Sequence, residues 1–311
     1  MSNNGLKRII VIVGPTSSGK SDLAIRIAQR YNGEVISADS RQVYRGLDVG
    51  SGKVPGKWQM ANGKSVFVYK GVRHHFIDFA NPKRQYSVAQ FQKEGGKVIR
   101  KLFAIGYLPI ICGGTGFYIR ALIDGIIFPD VKPNRTLRLK LERQSLNQLV
   151  STLQRIDPVR ARSIDACNKR RVMRALEIAD SLGSVPAVQM NPLPYPVFFI
   201  GIAPNAKVLK KRIHARIALW LRSGLRAEIR KLLRSGLSEK RIRSFGLVYS
   251  WALDFENGTI SRSVFIEGLA RDIFAYARRQ YTWFKKDKRI HWITKPENGL
   301  RLAEQFLKRF P

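Results

Sequence analysis

The chain contains a glycine-rich stretch that ends in lysine and serine, residues 14–21, with the sequence GPTSSGKS. It follows the apolar run 9–13 and precedes residues 22–30, in which apolar residues recur at the spacing of a helix. Between a strand and a helix, such glycines let backbone N–H groups face a phosphate, and the helix N-terminus adds positive potential. Lys20 supplies a mobile charge, and the Ser21 hydroxyl can hold Mg²⁺. The stretch therefore predicts a polyphosphate site, with an ordinary strand-to-helix turn as the alternative.

Two further strand ends carry residues that could take part in chemistry. Asp39 follows the predicted strand 34–38, and the glycine run 113–116, which includes Thr115, follows the apolar run 108–112. In open α/β sheets the ligand crevice lies beyond the carboxyl ends of the strands, so both are expected near the phosphate site. Asp39 could accept a proton or bind Mg²⁺ through water, or it could form an Asx turn. The glycine run could line the crevice or serve packing alone.

The segments that must position these residues alternate between strands and helices. This order predicts an α/β fold like that of the P-loop NTPases, with a mostly parallel sheet flanked by helices. Residues 129–196 are bracketed by prolines and are rich in arginine and helix formers, which predicts an inserted small helical domain. The core is then formed by residues 1–128 and by residues 197–311, which carry basic C-terminal helices.

The chain is strongly basic, with 56 Lys and Arg residues against 22 Asp and Glu residues and a formal net charge of +34. The excess occurs in both halves, which favours a polyanionic partner such as nucleic acid over a basic tail. A general solubility adaptation is the alternative. Residues 275–286 interleave aromatic and basic side chains, a combination that suits stacking on unpaired bases beside phosphate contacts. A solvated basic helix face would give the same pattern.

Several classes of protein are disfavoured. The two cysteines, Cys112 and Cys167, cannot form a disulfide framework or a zinc site by themselves. His74 and His75 lack a third ligand at suitable spacing, so a structural or substrate-lining role is favoured over a metal site. No apolar run approaches the roughly 20 residues of a membrane span, and no signal peptide is recognised. We therefore expect a cytoplasmic protein that does not bind membranes.

Taken together, the motifs resemble those of the bacterial tRNA dimethylallyltransferases, also called tRNA isopentenyltransferases. The matching stretches are residues 14–21, 36–44, 74–78, 113–118, 171–177 and 276–284, in the order of the family and over nearly the whole chain. The resemblance implies that the phosphate loop holds the diphosphate of dimethylallyl diphosphate. The prenyl group would pass to the exocyclic amine of the adenine 3′-adjacent to the anticodon, and diphosphate would be released. In the family this adenine leaves the anticodon loop and enters a channel in the protein.

The resemblance also implies roles for individual residues. Asp39 would be the general base, Thr115 would position substrate, and Lys20 and Arg216 would neutralise the leaving diphosphate, with Mg²⁺ on Ser21. Which of Arg216 and Arg212 contacts the diphosphate is left open, and a monomer is expected. The implied diphosphate-binding residues are Gly14, Pro15, Thr16, Ser17, Ser18, Gly19, Lys20, Ser21 and Arg212. The implied tRNA contacts, some of them in the inserted domain, are Asp39, Ser40, Arg41, Gln42, Thr115, Arg138, Arg170, Arg171, Arg174, Arg243, Gly246, Arg278 and Arg279.

The chain also departs from the family pattern. Residues 50–53, with the sequence GSGK, replace the usual GTAK, Leu247 replaces the usual tyrosine, and the segment 54–73 is longer than usual. The cysteine-rich zinc module of eukaryotic relatives does not occur in this sequence, which favours a bacterial-type enzyme. Three rival functions are prenyl transfer to a free adenine nucleotide, a P-loop kinase, and an RNA-binding protein that uses the P-loop without catalysis.

Overall fold

The chain folds into two compact units in the computed structural model, which describes residues 7–309. The first unit contains the described residues up to Asp124 and those from Leu193 onward, and the second contains Gly125–Pro192. The outermost residues of the predicted core, 1–6 and 310–311, lie outside the described part of the chain.

Both boundaries of the insertion lie slightly before the predicted residues 129 and 196. At its start, Ile126–Ile127 already pairs antiparallel with Gln189–Met190 inside the second unit. At its end, the amide of Leu193 donates a hydrogen bond to the carbonyl oxygen of Ile123, 3.0 Å away, and so returns the chain to the first unit. Pro129 and Pro196, which suggested the boundaries, follow these contacts by a few residues in the sequence.

Ten strands and thirteen helices make up the described residues. The strands are β1 (Ile9–Val13), β2 (Gly33–Ser37), β3 (Lys57–Ala61), β4 (Lys64–Tyr69), β5 (Val72–His75), β6 (Leu108–Cys112), β7 (Ile126–Ile127), β8 (Gln189–Met190), β9 (Val197–Ile202) and β10 (Ile290–Ile293). The helices are α1 (Lys20–Arg30), α2 (Val88–Ala104), α3 (Gly116–Ile123), α4 (Arg135–Glu142), α5 (Leu146–Ile156), α6 (Pro158–Ser163), α7 (Lys169–Leu182), α8 (Ala206–Arg222), α9 (Leu225–Arg234), α10 (Glu239–Arg243), α11 (Leu247–Glu256), α12 (Arg262–Lys285) and α13 (Glu297–Lys308).

The first unit is built on an eight-stranded sheet in the order β10-β9-β1-β6-β2-β5-β4-β3. All neighbouring strands run parallel except β3 and β4, which add an antiparallel hairpin at one edge. Every residue of β1 is buried, as expected for a strand with parallel neighbours on both sides and helices on both faces. The predicted α/β fold with a mostly parallel sheet flanked by helices is therefore confirmed.

Successive residues of β1 point to opposite faces of the sheet and enter two different cores. Ile9, Val11 and Val13 pack into the larger core, which is covered by α2, α3 and the helices from α8 to α12. Ile10 and Ile12 pack into the smaller core beneath α1 and α13. This arrangement holds the carboxyl end of β1 rigidly between two layers of helices.

Two local structures have little signal in the sequence. Residues 241–243 belong to the short helix α10, which the Ser238 hydroxyl caps by accepting from the amide of Arg241. The long segment 54–73 contains the antiparallel β3–β4 hairpin. Its outer strand β3 is exposed along its whole length, so it lacks the buried alternation that identifies a strand in sequence.

The second unit is a small helical bundle formed by α4 to α7. Its core contains Leu141, Leu149, Leu153 and Leu176, which come from α4, α5 and α7. Asn168 caps α7, its side-chain oxygen accepting from the amide of Arg171. Among residues 7–309, the helices are all too short or too polar to cross a membrane.

Candidate active site

The loop between β1 and α1 adopts a conformation that only glycine allows at two of its positions. Gly14 has a φ of 142°, and a Cβ atom there would lie 2.4 Å from the carbonyl oxygen of Ile202. Gly19 has a φ of 97° and forms the N-cap of α1. The loop therefore turns sharply at both ends and leads directly into a helix N-terminus, as a phosphate-binding loop requires.

One hydroxyl of this loop lacks a partner. Ser18 Oγ is fully buried, and no residue in the described range 7–309 forms a hydrogen bond with it. A buried hydroxyl without a partner is costly, so a ligand oxygen at this position would satisfy it. The observation supports anion binding in the loop.

Lys20 lies at the start of α1 with its ammonium folded back over the loop. Its Nζ donates a hydrogen bond to the carbonyl oxygen of Pro15, 2.6 Å away. The side chain keeps some contact with solvent, yet the surrounding protein lowers its pKa to about 8, mainly through desolvation. The positive charge of Arg216 adds to this lowering, whereas the carboxylate of Asp39 opposes it. A bound anion would favour the charged form of Lys20.

Two arginines of α8 reach the same loop. Nη1 of Arg216 lies 3.3 Å from both Thr16 Oγ1 and Ser17 Oγ, and Nη1 of Arg212 donates to the carbonyl oxygen of Ser18 at 3.0 Å. Burial lowers the pKa of Arg216, and the nearby Asp39 carboxylate opposes the lowering. Both arginines are therefore placed beside the predicted diphosphate site.

Asp39 forms the Asx turn that the sequence offered as an alternative role. Its Oδ1 accepts hydrogen bonds from the amides of Arg41 and Gln42, at 2.8 and 3.3 Å. Its Oδ2 accepts none from the described residues, and Asp39 lines the pocket described below. One oxygen thus shapes the turn while the other remains available for substrate.

The second glycine run is connected to this turn and to α12. Thr115 Oγ1 accepts a hydrogen bond from the amide of Ser40 at 3.1 Å. A Cβ atom at Gly114 would lie 2.4 Å from Nε2 of Gln280, and one at Gly116 would lie 2.2 Å from Nε1 of Trp283. The glycines therefore allow close packing, and residues 113–115 also line the pocket, so the run does not serve packing alone.

Gln280 of α12 joins the two glycine-rich segments. Its Oε1 accepts from the amide of Thr16, and its Nε2 donates to the carbonyl oxygen of Gly114, both at 2.9 Å. The side chain is buried, so both ends of its amide are used inside the protein. Sequence reasoning placed Gln280 in a family motif but gave it no role, because nothing local signals which helical glutamine makes such a bridge.

Glu228 of α9 fixes another wall of the pocket. Its carboxylate accepts hydrogen bonds from the amides of Asp48, Val49 and Gly50, at 2.8, 2.6 and 3.1 Å, and from the hydroxyl of Tyr249 at 2.8 Å. Burial and the adjacent Glu228 raise the pKa of Tyr249 well above its usual range, so this hydroxyl remains a donor. Glu228, which sequence analysis missed, thus holds the segment that leads to residues 50–52 of the pocket lining.

The loop, Asp39 and the second glycine run surround one pocket of about 800 Å³ in the first unit. Cys112 also lines it, but burial raises the pKa of its thiol to about 12, which disfavours a nucleophilic thiolate. Leu247 lies in the lining as well. The predicted site residues that the pocket brings together are Thr16, Ser17, Ser18, Gly19, Lys20, Ser21, Asp39, Ser40, Arg41, Gln42, Thr115, Arg212, Arg216 and Gly246.

The remaining predicted residues of the first unit lie outside this lining. Gly14 and Pro15 shape the loop from behind. Arg243 is held by Asp254, whose Oδ1 is 2.7 Å from its Nη2. Arg278 and Arg279 are exposed on α12, and Arg279 lies 5.8 Å from the centre of the Tyr276 ring.

In the second unit, two of the predicted tRNA contacts are engaged with a buried carboxylate. Arg138 forms a bidentate pair with Glu177, at 2.6 and 2.7 Å, and Arg174 approaches the same carboxylate at 3.2 Å. The pKa of Glu177 is lowered because these hydrogen bonds outweigh its desolvation. Arg171 pairs with Asp165 on the surface, whereas Arg170 is exposed without a partner among residues 7–309.

The two histidines make contacts within the first unit. Nε2 of His75 lies 2.5 Å from Glu34 Oε2, and His74 is buried, with a pKa lowered by desolvation. Within the described residues, no group of three or more His, Cys, Asp or Glu side chains could hold a metal ion.

Comparison with known proteins identifies the family. The family model described as IPP transferase matches residues 42–287, and one described as isopentenyl transferase matches residues 7–75. The chain belongs to the IPP transferase family. The resemblance noted from the sequence motifs is therefore confirmed.

Relatives in this family match the chain over nearly its whole length. The chain is 37% identical to the tRNA dimethylallyltransferase of Acetivibrio thermocellus, covering 94% of this chain and 93% of the relative. It is 36% identical to that of Carboxydothermus hydrogenoformans, covering 97% and 96%.

Solved structures of the family share the fold. The full-length tRNA isopentenylpyrophosphate transferase of Bacillus halodurans superposes with a TM-score of 0.69 at 32% identity, covering 97% of each chain. A eukaryotic dimethylallyltransferase that acts on tRNA reaches a TM-score of 0.77 at 23% identity, covering 98% of this chain and 80% of its own. The latter likeness concerns the fold alone.

Proposed function

We propose that this protein transfers a dimethylallyl group from dimethylallyl diphosphate to the exocyclic amine of the adenine 3′-adjacent to the anticodon of a tRNA, releasing diphosphate. The observation that carries the proposal is a pocket lined by both the cationic phosphate loop and Asp39, which keeps one carboxylate oxygen available. The relatives named above act on tRNA, which suggests the acceptor.

The phosphate side of the pocket suits a diphosphate leaving group. In the transfer, the bond between the prenyl carbon and the diphosphate oxygen breaks, so negative charge grows on the diphosphate. Lys20, Arg216 and the N-terminus of α1 all meet at the phosphate loop, which supports a diphosphate at this position. Pre-positioned positive charge of this kind lowers the barrier, since no reorganisation is needed as the charge develops.

The opposite side of the pocket suits an amine acceptor. The adenine nitrogen forms the new bond to the prenyl carbon and must lose one proton. Oδ2 of Asp39 is available to accept it, while Oδ1 keeps the carboxylate oriented through the amides of Arg41 and Gln42. Thr115, bonded to Ser40 of the same turn, would help to position the adenine.

Magnesium is proposed as an ion shared with the diphosphate. The Ser21 hydroxyl lies at the pocket end of α1, and the carboxylate of Asp22 also lines the pocket. Mg²⁺ is commonly bound by one or two carboxylates together with substrate phosphates, so this donor set fits. When bound, the ion would offset charge on the diphosphate.

Contacts to tRNA are proposed on both units separately. In the first unit the residues are Ser40, Arg41, Gln42, Arg243, Gly246, Arg278 and Arg279, and in the second they are Arg138, Arg170, Arg171 and Arg174. The net charge of +34 suits a polyanion of this size. The pairing of Arg138 and Arg174 with Glu177 indicates that these two also stabilise the second unit. A cytoplasmic monomer remains our expectation.

A transfer assay separates this function from its rivals. Purified protein with Mg²⁺ and dimethylallyl diphosphate is offered unmodified tRNA, and a parallel reaction offers AMP; a third contains ATP in place of the prenyl donor. The proposal expects prenylated product with tRNA alone. Prenylated AMP would indicate a nucleotide prenyltransferase, and phosphoryl transfer from ATP would indicate a kinase. Tight tRNA binding without any product would indicate an RNA-binding protein.

A further inference from the structure

The β3–β4 hairpin is an unusually basic addition at the edge of the sheet. No Asp or Glu occurs between Asp48 and Asp78, a segment that contains four lysines and one arginine. Lys57 and Lys64 are exposed, and their ammonium groups form no ion pair or hydrogen bond with the described residues.

The carboxylates that flank the segment do not neutralise these lysines. Asp48 and Asp78 both pair with Lys53, at 2.8 and 2.6 Å, and the side chain of Lys53 is only 4% exposed. Arg73 lies 3.8 Å from Glu34. Lys53 and Arg73 are thus paired with carboxylates of the protein, whereas the ammonium groups of Lys57 and Lys64 face solvent.

The register of the sheet shows which way the hairpin turn points. Phe67 pairs with His74, which in turn pairs with Val35. Because β4 runs antiparallel to β5 and β5 runs parallel to β2, the turn at residues 62–63 points toward the end of the sheet at which β2 finishes. The strands β2 and β4 are separated only by β5. The turn and the neighbouring Lys64 therefore lie toward the edge of the sheet that Asp39 follows, whereas Lys57, which pairs with Val68, lies further back along the hairpin.

An aromatic ring on the same hairpin is exposed but fixed. The Trp58 side chain is 44% exposed, and its Nε1 donates a hydrogen bond to Asp78 Oδ2 at 3.0 Å. One edge of the ring packs against Phe67, with ring centres 5.9 Å apart. Because Asp78 and Phe67 hold the ring in one orientation, Trp58 can stack on an unpaired base with little loss of conformational freedom.

We propose that the β3–β4 hairpin is an additional RNA-contacting surface, with Lys57 and Lys64 binding phosphates of the tRNA and Trp58 stacking on an unpaired base. The inference rests on the proposed function for the identity of the RNA. Charge complementarity favours RNA over a second copy of this chain, because two surfaces of the same positive sign repel.

The test measures direct binding of labelled, unmodified tRNA at several salt concentrations, so it does not depend on catalysis. The double variant Lys57→Ala/Lys64→Ala should weaken binding by about 3- to 10-fold near physiological salt. The slope of log affinity against log salt should become shallower by about 1.5, since each phosphate contact contributes roughly 0.7 to 0.9. The variant Trp58→Leu should weaken binding by a similar factor without changing the slope, because it removes stacking and not charge.

The matched control is Lys97→Ala/Lys101→Ala, which removes two exposed lysines of α2 and should leave tRNA affinity and slope unchanged. Thermal unfolding confirms that each variant is folded. Unchanged affinity and slope in the folded hairpin variants would overturn the proposal, because they would show that the hairpin does not contact the RNA. A transfer assay on the wild type separates the two ideas, because lack of prenyl transfer with intact hairpin-dependent binding would overturn only the proposed function.

Discussion

Gln280 and Thr16 are 264 positions apart in the sequence, yet the side-chain oxygen of Gln280 accepts a hydrogen bond from the Thr16 amide at 2.9 Å. The other end of the same amide holds the carbonyl oxygen of Gly114. The long helix α12 thereby sets the spacing between the phosphate loop and the glycine run beside Thr115. If the reaction depends on that spacing, Gln280 is a positioning residue.

We predict that Gln280→Glu lowers kcat by about 10- to 100-fold, because a carboxylate cannot donate to Gly114 and misplacement of about 1 Å can cost this much. The KM for tRNA should change less than kcat. Steady-state kinetics with each substrate varied in turn checks this split. A purely structural role would instead lower the melting temperature and leave the kcat of the folded protein intact.

Two variants should separate the roles of Asp39 in the turn and in the proton transfer. Asp39→Asn keeps an oxygen for the amides of Arg41 and Gln42 but loses the base, whereas Asp39→Ala loses both. We expect both to lower turnover by roughly a hundredfold or more, the usual scale for a general base, with tRNA binding retained. Only the alanine variant should also be less stable, by about 1 kcal/mol for a lost turn-capping hydrogen bond. Near-normal turnover of Asp39→Asn would remove Asp39 from the proton transfer.

The binding of dimethylallyl diphosphate should weaken as pH rises through the pKa of Lys20. In the free protein this pKa is lowered to about 8, so the ammonium loses its proton above that pH. A bound anion favours the charged form, so binding above pH 8 requires uptake of a proton and becomes weaker. We predict a roughly tenfold loss of affinity between pH 7.5 and 9.

Calorimetric titration at these pH values provides the measurement, and Lys20→Arg provides the control. The guanidinium does not titrate in this range, so the arginine variant should show only the pH dependence of the ligand. Identical pH profiles for the two proteins would show that Lys20 does not govern binding.

The two arginines of α8 should differ in importance. Arg216 contacts loop hydroxyls, so Arg216→Ala should lower kcat by about 100-fold, the scale of one lost charge-stabilising donor. Arg212 donates a hydrogen bond to the carbonyl oxygen of Ser18, so Arg212→Ala should lower kcat by about tenfold or less. Lys211→Ala, on the same helix but outside the pocket lining, should be neutral. Kinetic constants that rank Arg212 above Arg216 would reverse this assignment.

The parts of the fold that could be predicted from sequence are those with strong local signals. The buried run at 9–13 and the glycines at 14 and 19 indicate strand, loop and helix because each must be apolar or adopt a special backbone conformation. The β3 strand gave no such signal, since all of its residues are exposed and no face alternates.

Local sequence reasoning could place a residue of the candidate site only where it follows a strand end, whereas Arg212, Arg216 and Gly246 were expected from the family resemblance alone. Asp39 and Thr115 could be placed in this way, because parallel strands bring their carboxyl ends to one edge. Gln280 and Glu228 could not, since a helical glutamine or glutamate has the same local pattern whether it faces solvent or anchors a loop. The pairing of Arg138 and Arg174 with Glu177 was likewise hidden, because basic residues on a helix do not reveal which of them are already paired.

The most direct test of the central claim is mass spectrometry of tRNA after reaction with the purified protein, Mg²⁺ and dimethylallyl diphosphate. Nuclease fragments would be analysed so that the modified nucleotide is located as well as detected. The account predicts one dimethylallyl group, on the adenosine 3′-adjacent to the anticodon, and roughly a hundredfold less of it in the reaction with Asp39→Asn at equal early time. Unmodified tRNA with the wild-type protein, or a prenyl group on another nucleotide, would contradict it.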